Sequence, residues 1–277
     1  MSTQSTPILI IGATGKTGRR VLHRLSERNL PVRPVSRSTD IPFDWDDATT
    51  WPAALNGVRK AYVSVFPDLA FPGAVEKVRH FCRVAAEAGL EHLVLLSGRG
   101  EAHAREGEKV VEGSGIGYTL IRAAWFAQNF SEGYLRDPIL QGVLPMPGGD
   151  VQEPIIDIDD IADVATAALT EEGHLGQLYE VTGPRLMGFA DMADALGRAI
   201  GTQIQHIPIT FEDFHASVAQ AGGAEVADVF TAIARETLDG RNAVVCDGVQ
   251  RALGRPPRDF TTFAQAASHN GAWSSVA

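Results

Sequence analysis

The run Ile8-Leu9-Ile10-Ile11-Gly12-Ala13-Thr14-Gly15-Lys16-Thr17-Gly18 has the residue types and spacing to hold a pyrophosphate. Gly12 permits a tight turn, Gly15 lets a phosphate approach the backbone, and Gly18 allows a helix to pack closely on the preceding strand. Thr14, Lys16 and Thr17 complete the turn as candidate cofactor contacts, and the amide end of the following helix attracts negative charge. Glycine spacing alone is weak evidence. Here it follows an apolar run and precedes the helical pattern of Val21, Leu22 and Leu25, so dinucleotide binding is the expectation. Downstream, Val35-Ser36-Arg37-Ser38 stands where a second strand should end. Arg37 can fork onto a ribose 2′-phosphate, with Ser36 and Ser38 as hydroxyl donors, which favours NADP(H); an acid at this place would favour NAD(H). Asp44, near the end of an expected third strand, is a candidate acceptor for the adenine amino group. Phe66, with Val65 and Pro67 after an expected fourth strand, is a candidate wall of the cofactor channel.

The elements that must position these residues alternate short apolar runs with helical patterns, the signature of a parallel sheet wrapped by helices. Strands are expected at 8–11, 32–36, 61–65, 92–97 and 118–122. Val75, Val78, Phe81, Cys82, Ala85 and Ala88 recur at helical spacing and give one buried stripe. The fold class expected is α/β, a Rossmann-type doubly wound parallel sheet whose ligand crevice lies at the carboxyl ends of the strands. Residues 1–150 read as the NADP-binding Rossmann domain. Residues 151–277 read as a smaller C-terminal part that completes the sheet and covers the substrate site. Pro138, Pro145, Pro147, Gly148 and Gly149 break the chain near that junction. A helix is expected over 157–169, where Asp157, Asp159 and Asp160 suit a positive helix N-terminus and are read as structural. Further helices are expected over 189–200 and 211–221, with Phe211, Phe214 and Val218 as core or pocket lining.

Bulk properties narrow the classes. The chain has 277 residues, 44% apolar and 21% charged, and a formal net charge of −10. That composition suits a globular fold, and the acidic balance argues against a general nucleic-acid binder. Cys82 and Cys246, far apart, suit reduced thiols in a cytosol and are read as core fillers. The polar leader Met1 to Pro7 has no basic n-region, and no apolar stretch approaches the roughly 20 residues that span a bilayer. A cytoplasmic protein is expected, with a small molecule as its substrate, no metal, and a homodimer left open.

The Gly-x-x-Gly-x-x-Gly spacing of Gly12, Gly15 and Gly18 resembles that of the extended and atypical short-chain dehydrogenases. Members of that group normally protonate a nascent alkoxide through a Tyr-x-x-x-Lys pair on the helix after the fifth strand, assisted by a Ser at the strand's end. Ser97 occupies the Ser position, but the helix expected over 101–112 contains no Tyr; Lys109, Val110 and Val111 stand where it belongs. None of Tyr62, Tyr118, Tyr134 and Tyr179 is followed by Lys at the fourth place. His103, Glu108 and Lys109, titratable side chains of that helix, are read as a solvated helix face. Ordinary alcohol–ketone chemistry is therefore disfavoured. An iminium ion, whose positive charge the hydride neutralises, needs no proton donor, and a quinone anion can take its proton from water. A protein that senses NADP without turnover, or an isomerase or lyase that uses it structurally, also remains open.

Three stretches carry a closer resemblance: Gly12 to Gly18, Leu95-Leu96-Ser97-Gly98-Arg99-Gly100-Glu101, and Trp125-Phe126-Ala127-Gln128-Asn129-Phe130. With Asp239-Gly240-Arg241-Asn242 and the run from Asp247 to Pro257, the chain resembles the NmrA-like atypical short-chain dehydrogenases, in the ergot-alkaloid reductase-like branch (agroclavine or festuclavine dehydrogenase-like). The resemblance implies NADPH-dependent reduction of a cyclic iminium, although NmrA-like proteins also include quinone reductases and regulators that bind NADP without turnover. It implies a site shaped by Ser97, Trp125 and Asn129. Trp125 and Phe126 would wall the substrate by stacking and cation–π contact, and Gln128 and Asn129 would offer neutral hydrogen bonds.

Overall fold

The computed structural model describes residues 6–274; residues 1–5 of the polar leader lie outside the described residues. In chain order the strands are β1 (Ile8–Ile11), β2 (Val32–Val35), β3 (Lys60–Val63), β4 (His92–Gly98), β5 (Gly117–Ala123), β6 (Val143–Met146), β7 (Gln152–Glu153), β8 (Gln177–Val181), β9 (Met187–Gly188) and β10 (Gln205–Pro208). The helices are α1 (Gly18–Glu27), α2 (Trp51–Leu55), α3 (Ala74–Glu87), α4 (Ala102–Glu112), α5 (Asn129–Glu132), α6 (Arg136–Leu140), α7 (Ile158–Thr170), α8 (Phe189–Ile200), α9 (Phe211–Gly222), α10 (Ala224–Thr237), α11 (Gly248–Leu253) and α12 (Phe260–His269).

Six parallel strands form the main sheet in the order β2-β1-β3-β4-β5-β8. All four residues of β1 are buried, as a parallel strand covered on both faces requires. One face is covered by α2, α3 and α4 through Trp51, Val78, Phe81 and Val111, the other by α1, α7 and α11 through Val21, Leu25, Ile161 and Val249. A third core lies under α8, α9, α10 and α12, where Phe189, Leu196, Phe214 and Phe263 meet Phe130 and Met146. Strand direction of travel reverses between β1 and β3, which opens the crevice at their carboxyl ends. β8, α7 and the helices of the third core all come from beyond residue 150, while β6 and β10 pair across that position. Among the described residues no helix is long and apolar enough to cross a membrane.

The structure corrects two expectations here. No strand precedes Asp44: residues 41–47 form a turn held by bridges Ser36 to Pro42 and Asp44 to Asp47. Pro42 has no amide to donate, and Phe43 and Trp45 instead pack with Trp51 and Phe81 as an aromatic cluster with centroids 5.2 to 6.1 Å apart. Ser97 is therefore the penultimate residue of the fourth strand and Trp125 follows the fifth. Cys246 is half-buried in a loop rather than a core filler; Cys82 is buried.

The acidic start of α7 is structural, as read. Asp157 caps the helix by accepting from the Asp159 amide at 2.9 Å. Asp160, fully buried, pairs with Arg255 at 2.8 Å and Arg258 at 2.5 Å, and Arg24 of α1 reaches Asp159 at 2.7 Å. These pairs lock α1 and the C-terminal segment onto α7.

Candidate active site

A cavity of about 810 Å³ opens along the carboxyl ends of β1, β3, β4 and β5 and is covered by Phe214 of α9 and by Phe230 and Ile233 of α10. Gly12, Thr14, Gly15, Lys16, Thr17, Ser36, Arg37, Asp44 and Phe66 line one end, and Ser97, Trp125, Phe126 and Asn129 the other. The fold thus brings together all but two of the residues singled out in the sequence.

At the first end the backbone makes the cradle. Gly12 has φ +79°, a left-handed conformation that favours glycine, and its amide and that of Ala13 both donate to the Val35 carbonyl at 3.2 Å. The turn closes through Gly15, whose amide donates to the Gly12 carbonyl at 2.9 Å. Gly18 does not line the cavity. A Cβ there would overlap the Gly12 carbonyl oxygen, so Gly18 allows α1 to lie against the turn. The turn and the N-terminus of α1 suit a pyrophosphate. Arg37 is exposed, has no carboxylate partner among the described residues, and lies 4.5 Å from the centroid of the Phe66 ring, itself 57% exposed. A free guanidinium beside an open aromatic face suits a phosphorylated ribose next to a planar base. Asp44 lines this end, although its carboxylate accepts from the Asp46 amide at 3.0 Å and its carbonyl from the Trp51 indole at 2.7 Å.

Lys16 joins the two ends. Its ammonium donates to Asn129 Oδ1 at 2.9 Å, and burial holds its pKa below the ordinary lysine value. The Asn129 carbonyl oxygen is thereby engaged from the turn.

Side chains make the second end. Ser97 Oγ, buried, donates to Glu108 Oε1 at 2.6 Å. Glu108 is only 3% exposed and forms a bidentate pair with Arg122, whose Nε lies 2.9 Å from the same oxygen. The expectation of a solvated face fails for Glu108, because Ser97 and Arg122 sit side by side in register on β4 and β5 and turn α4 inward at that position. His103 and Lys109 are exposed. Trp125 donates its indole N–H to Thr237 Oγ1 at 3.0 Å, which leaves it a wall with no proton to offer. Gln128 is a second correction: it does not line the cavity. It is buried, donates to Asp157 at 2.6 Å and accepts from the Ile158 amide at 2.9 Å, fastening the loop after β5 to the start of α7.

Sequence reading missed Arg122, Asp68 and Glu101. A charged residue in an otherwise apolar strand was the available signal for Arg122. Asp68 and Glu101 also line the cavity, and burial raises both carboxyl pKa values, Glu101 to about 8. Among the described residues no group of three or more His, Cys, Asp or Glu side chains is arranged to hold a metal ion.

A doubly wound sheet, a glycine turn at the start of its first helix and one cavity running from that turn to Ser97 define a dinucleotide-binding protein of the short-chain reductase type. No protein-family model matches the chain. It is 32% identical over 281 residues to the NAD(P)H azoreductase of Xenophilus azovorans, covering 94% of this chain and 97% of that protein. It is 26% identical to the agroclavine dehydrogenase of Claviceps fusiformis, covering 92% and 95%. The fold is similar to that of Citrobacter sp. triphenylmethane reductase complexed with NADP(H), with a TM-score of 0.75 at 21% identity over 94% of this chain and 99% of that one. The chain belongs to the family of the NAD(P)H azoreductase: it is an NAD(P)H-dependent oxidoreductase of the NmrA-like atypical short-chain branch.

Proposed function

We propose that this protein transfers hydride from NADPH to the carbon of an imine or iminium group. NADPH lies with its pyrophosphate on the turn of Gly12, Thr14, Gly15, Lys16 and Thr17, its 2′-phosphate beside Ser36 and Arg37, and its adenine near Asp44 and Phe66. Residues from beyond position 150 cover the substrate. Bound NADPH supplies the hydride.

The observation that carries the acceptor class is the direction of the Ser97 hydrogen bond. Its only proton points to Glu108, a carboxylate held by Arg122. The hydroxyl therefore presents lone pairs to the cavity and cannot donate to a developing alkoxide. An iminium group needs no such donor, and an N–H on the nitrogen would find Ser97 Oγ as acceptor. Trp125, Phe126, Tyr134, Phe214 and Phe230 supply aromatic faces for a cation. The azoreductase relative is named for an acceptor reduced at nitrogen, in keeping with a nitrogen-containing acceptor here.

NADPH oxidation followed at its absorbance maximum tests this with N-methyl-3,4-dihydroisoquinolinium, an aryl ketone of similar size and a simple quinone. Turnover of the iminium well above that of the ketone is expected. Ketone turnover comparable to that of the iminium removes the argument from Ser97, and turnover of the quinone alone replaces the acceptor class.

A further inference from the structure

We propose that Glu101, assisted by Asp68, is the proton donor of this site, so that neutral C=N acceptors are reduced as well as preformed iminium ions. The inference rests on the hydride-transfer reading above and assigns it a catalytic residue that the missing Tyr left unfilled.

The geometry is specific. Glu101 stands between β4 and α4, and its carboxyl group lies over Gly98, where a Cβ would collide with it. Ser97, the residue before Gly98, and Glu101 both line the cavity. Glu101 Oε2 is buried and has no hydrogen-bond partner among the described residues. A buried polar atom without a partner is costly, and one beside a ligand cavity is explained by a partner that arrives with the ligand.

The charges around it keep a proton on this group. Asp68, in the loop after β3, faces Glu101 and shares the cavity; its carboxyl group accepts from the Ala70 amide at 2.8 Å. Glu236 of α10 faces it with an oxygen 3.2 Å from Arg241, and Glu108 of α4 faces it already neutralised by Arg122. Arg99 beside it turns its guanidinium to the Asn242 carbonyl at 2.6 Å and to Glu180 at 3.3 Å. Burial first, then Asp68, Glu236 and Glu108, push the Glu101 carboxyl up to about 8, which leaves it protonated at neutral pH and able to give the proton up.

The step balances. The Glu101 O–H bond breaks as an N–H bond forms on the imine nitrogen; the carbon accepts the hydride, NADPH is oxidised to NADP+, and the product is a neutral amine. The Glu101 carboxylate recovers its proton from water that enters the cavity as the product leaves.

The test compares kcat/KM for neutral 3,4-dihydroisoquinoline and for its N-methyl iminium salt in alkaline buffer, in the wild type, Glu101→Gln and Asp68→Asn. For Glu101→Gln the ratio of imine to iminium reduction should fall about 100-fold, the lower range of general-acid catalysis. For Asp68→Asn, loss of the neighbouring charge should move the alkaline fall in imine reduction to lower pH. A second readout needs no turnover. The Glu101 carboxyl pKa is raised on folding, so its stabilising contribution is present below the unfolded value and lost as pH rises toward about 8. The melting temperature of Glu101→Gln should therefore gain on the wild type across that interval. Equal losses on both acceptors, or a pH-independent difference in melting temperature, overturn the assignment alone. Failure of the wild type to reduce either acceptor overturns the hydride-transfer reading and this assignment with it.

Discussion

The two ends of the cavity are built from different materials. The turn end is backbone: contiguous residues of one strand–helix junction, with Gly12 at φ +79° and Gly18 packed against the Gly12 carbonyl, take their shape from the lack of side chains. The Ser97 end is side chains gathered from β4, the segments after β4 and β5, α9 and α10, and its character depends on which carboxyl groups find partners. Glu108 is paired with Arg122 and takes the proton of Ser97 in a hydrogen bond. Glu101, seven residues earlier, has an oxygen with no partner among the described residues and holds its own proton. Backbone recognition is local and intolerant of a single methyl group. Side-chain recognition is dispersed, and electrostatics set its chemistry.

That contrast can be broken at either end. The largest effect is expected from Gly18→Ala, because the added Cβ would overlap the Gly12 carbonyl and push α1 off the turn. Overpacking of this kind costs about 1–3 kcal/mol, so a lowered melting temperature and loss of detectable NADPH binding by fluorescence titration are expected. Retained NADPH affinity would show that the turn tolerates a side chain there. Arg37→Ala should weaken NADPH binding by about 10- to 100-fold, the worth of a charge-assisted hydrogen bond, and bring it close to NADH in competition titrations. An unchanged preference would move 2′-phosphate recognition elsewhere. At the other end, Trp125→Ala removes an aromatic wall and leaves the Thr237 hydroxyl without its indole donor. KM for the iminium should rise about tenfold, as loss of a stacking and cation–π face predicts, with NADPH affinity held. A parallel loss of NADPH affinity would mean that the two ends are not separate.

The same contrast decides what was legible in the sequence. The glycine turn is a local pattern, and β1, the start of α1, Arg37 and Phe66 could be placed from neighbouring residues alone. The aromatic segment after β5 was found as a segment, but its members divide by contacts no spacing encodes: Trp125 and Phe126 line the cavity, whereas Gln128 turns to α7. Glu108 looked like a solvated helix position because one helix face says nothing of the strand packed on it; Arg122, in register with Ser97, brings it inside. The strand expected before Asp44 failed for a related reason, since Phe43 and Trp45 satisfy an aromatic cluster rather than a sheet. Phe230 and Ile233 reach the site from more than a hundred residues beyond Ser97, and only the tertiary fold relates them.

The sheet that carries both ends supplies the smallest effect and a control for the comparison. His92 begins β4, at the opposite edge from the cavity, and its Nε2 lies 2.9 Å from Thr119 Oγ1. Thr119 donates its own proton to the His174 carbonyl at 2.7 Å, so it accepts from His92, which places the His92 proton on Nε2. Burial, then the charges of Lys60 and His174, hold the His92 pKa down at about 4. A group whose pKa is depressed on folding stabilises fully above its unfolded value, near 6.5, and that contribution is lost as pH falls toward about 4, because the unfolded chain takes up a proton the folded one refuses. Lowering the pH across that window should lower the melting temperature of the wild type by several degrees. His92→Gln keeps an N–H for Thr119 but cannot charge, and should flatten that slope. If the slope persists in His92→Gln, another group carries it. If NADPH affinity follows His92 titration, the turn is not insulated from the far edge of the sheet, and the division between a backbone end and a side-chain end gives way to a single coupled unit.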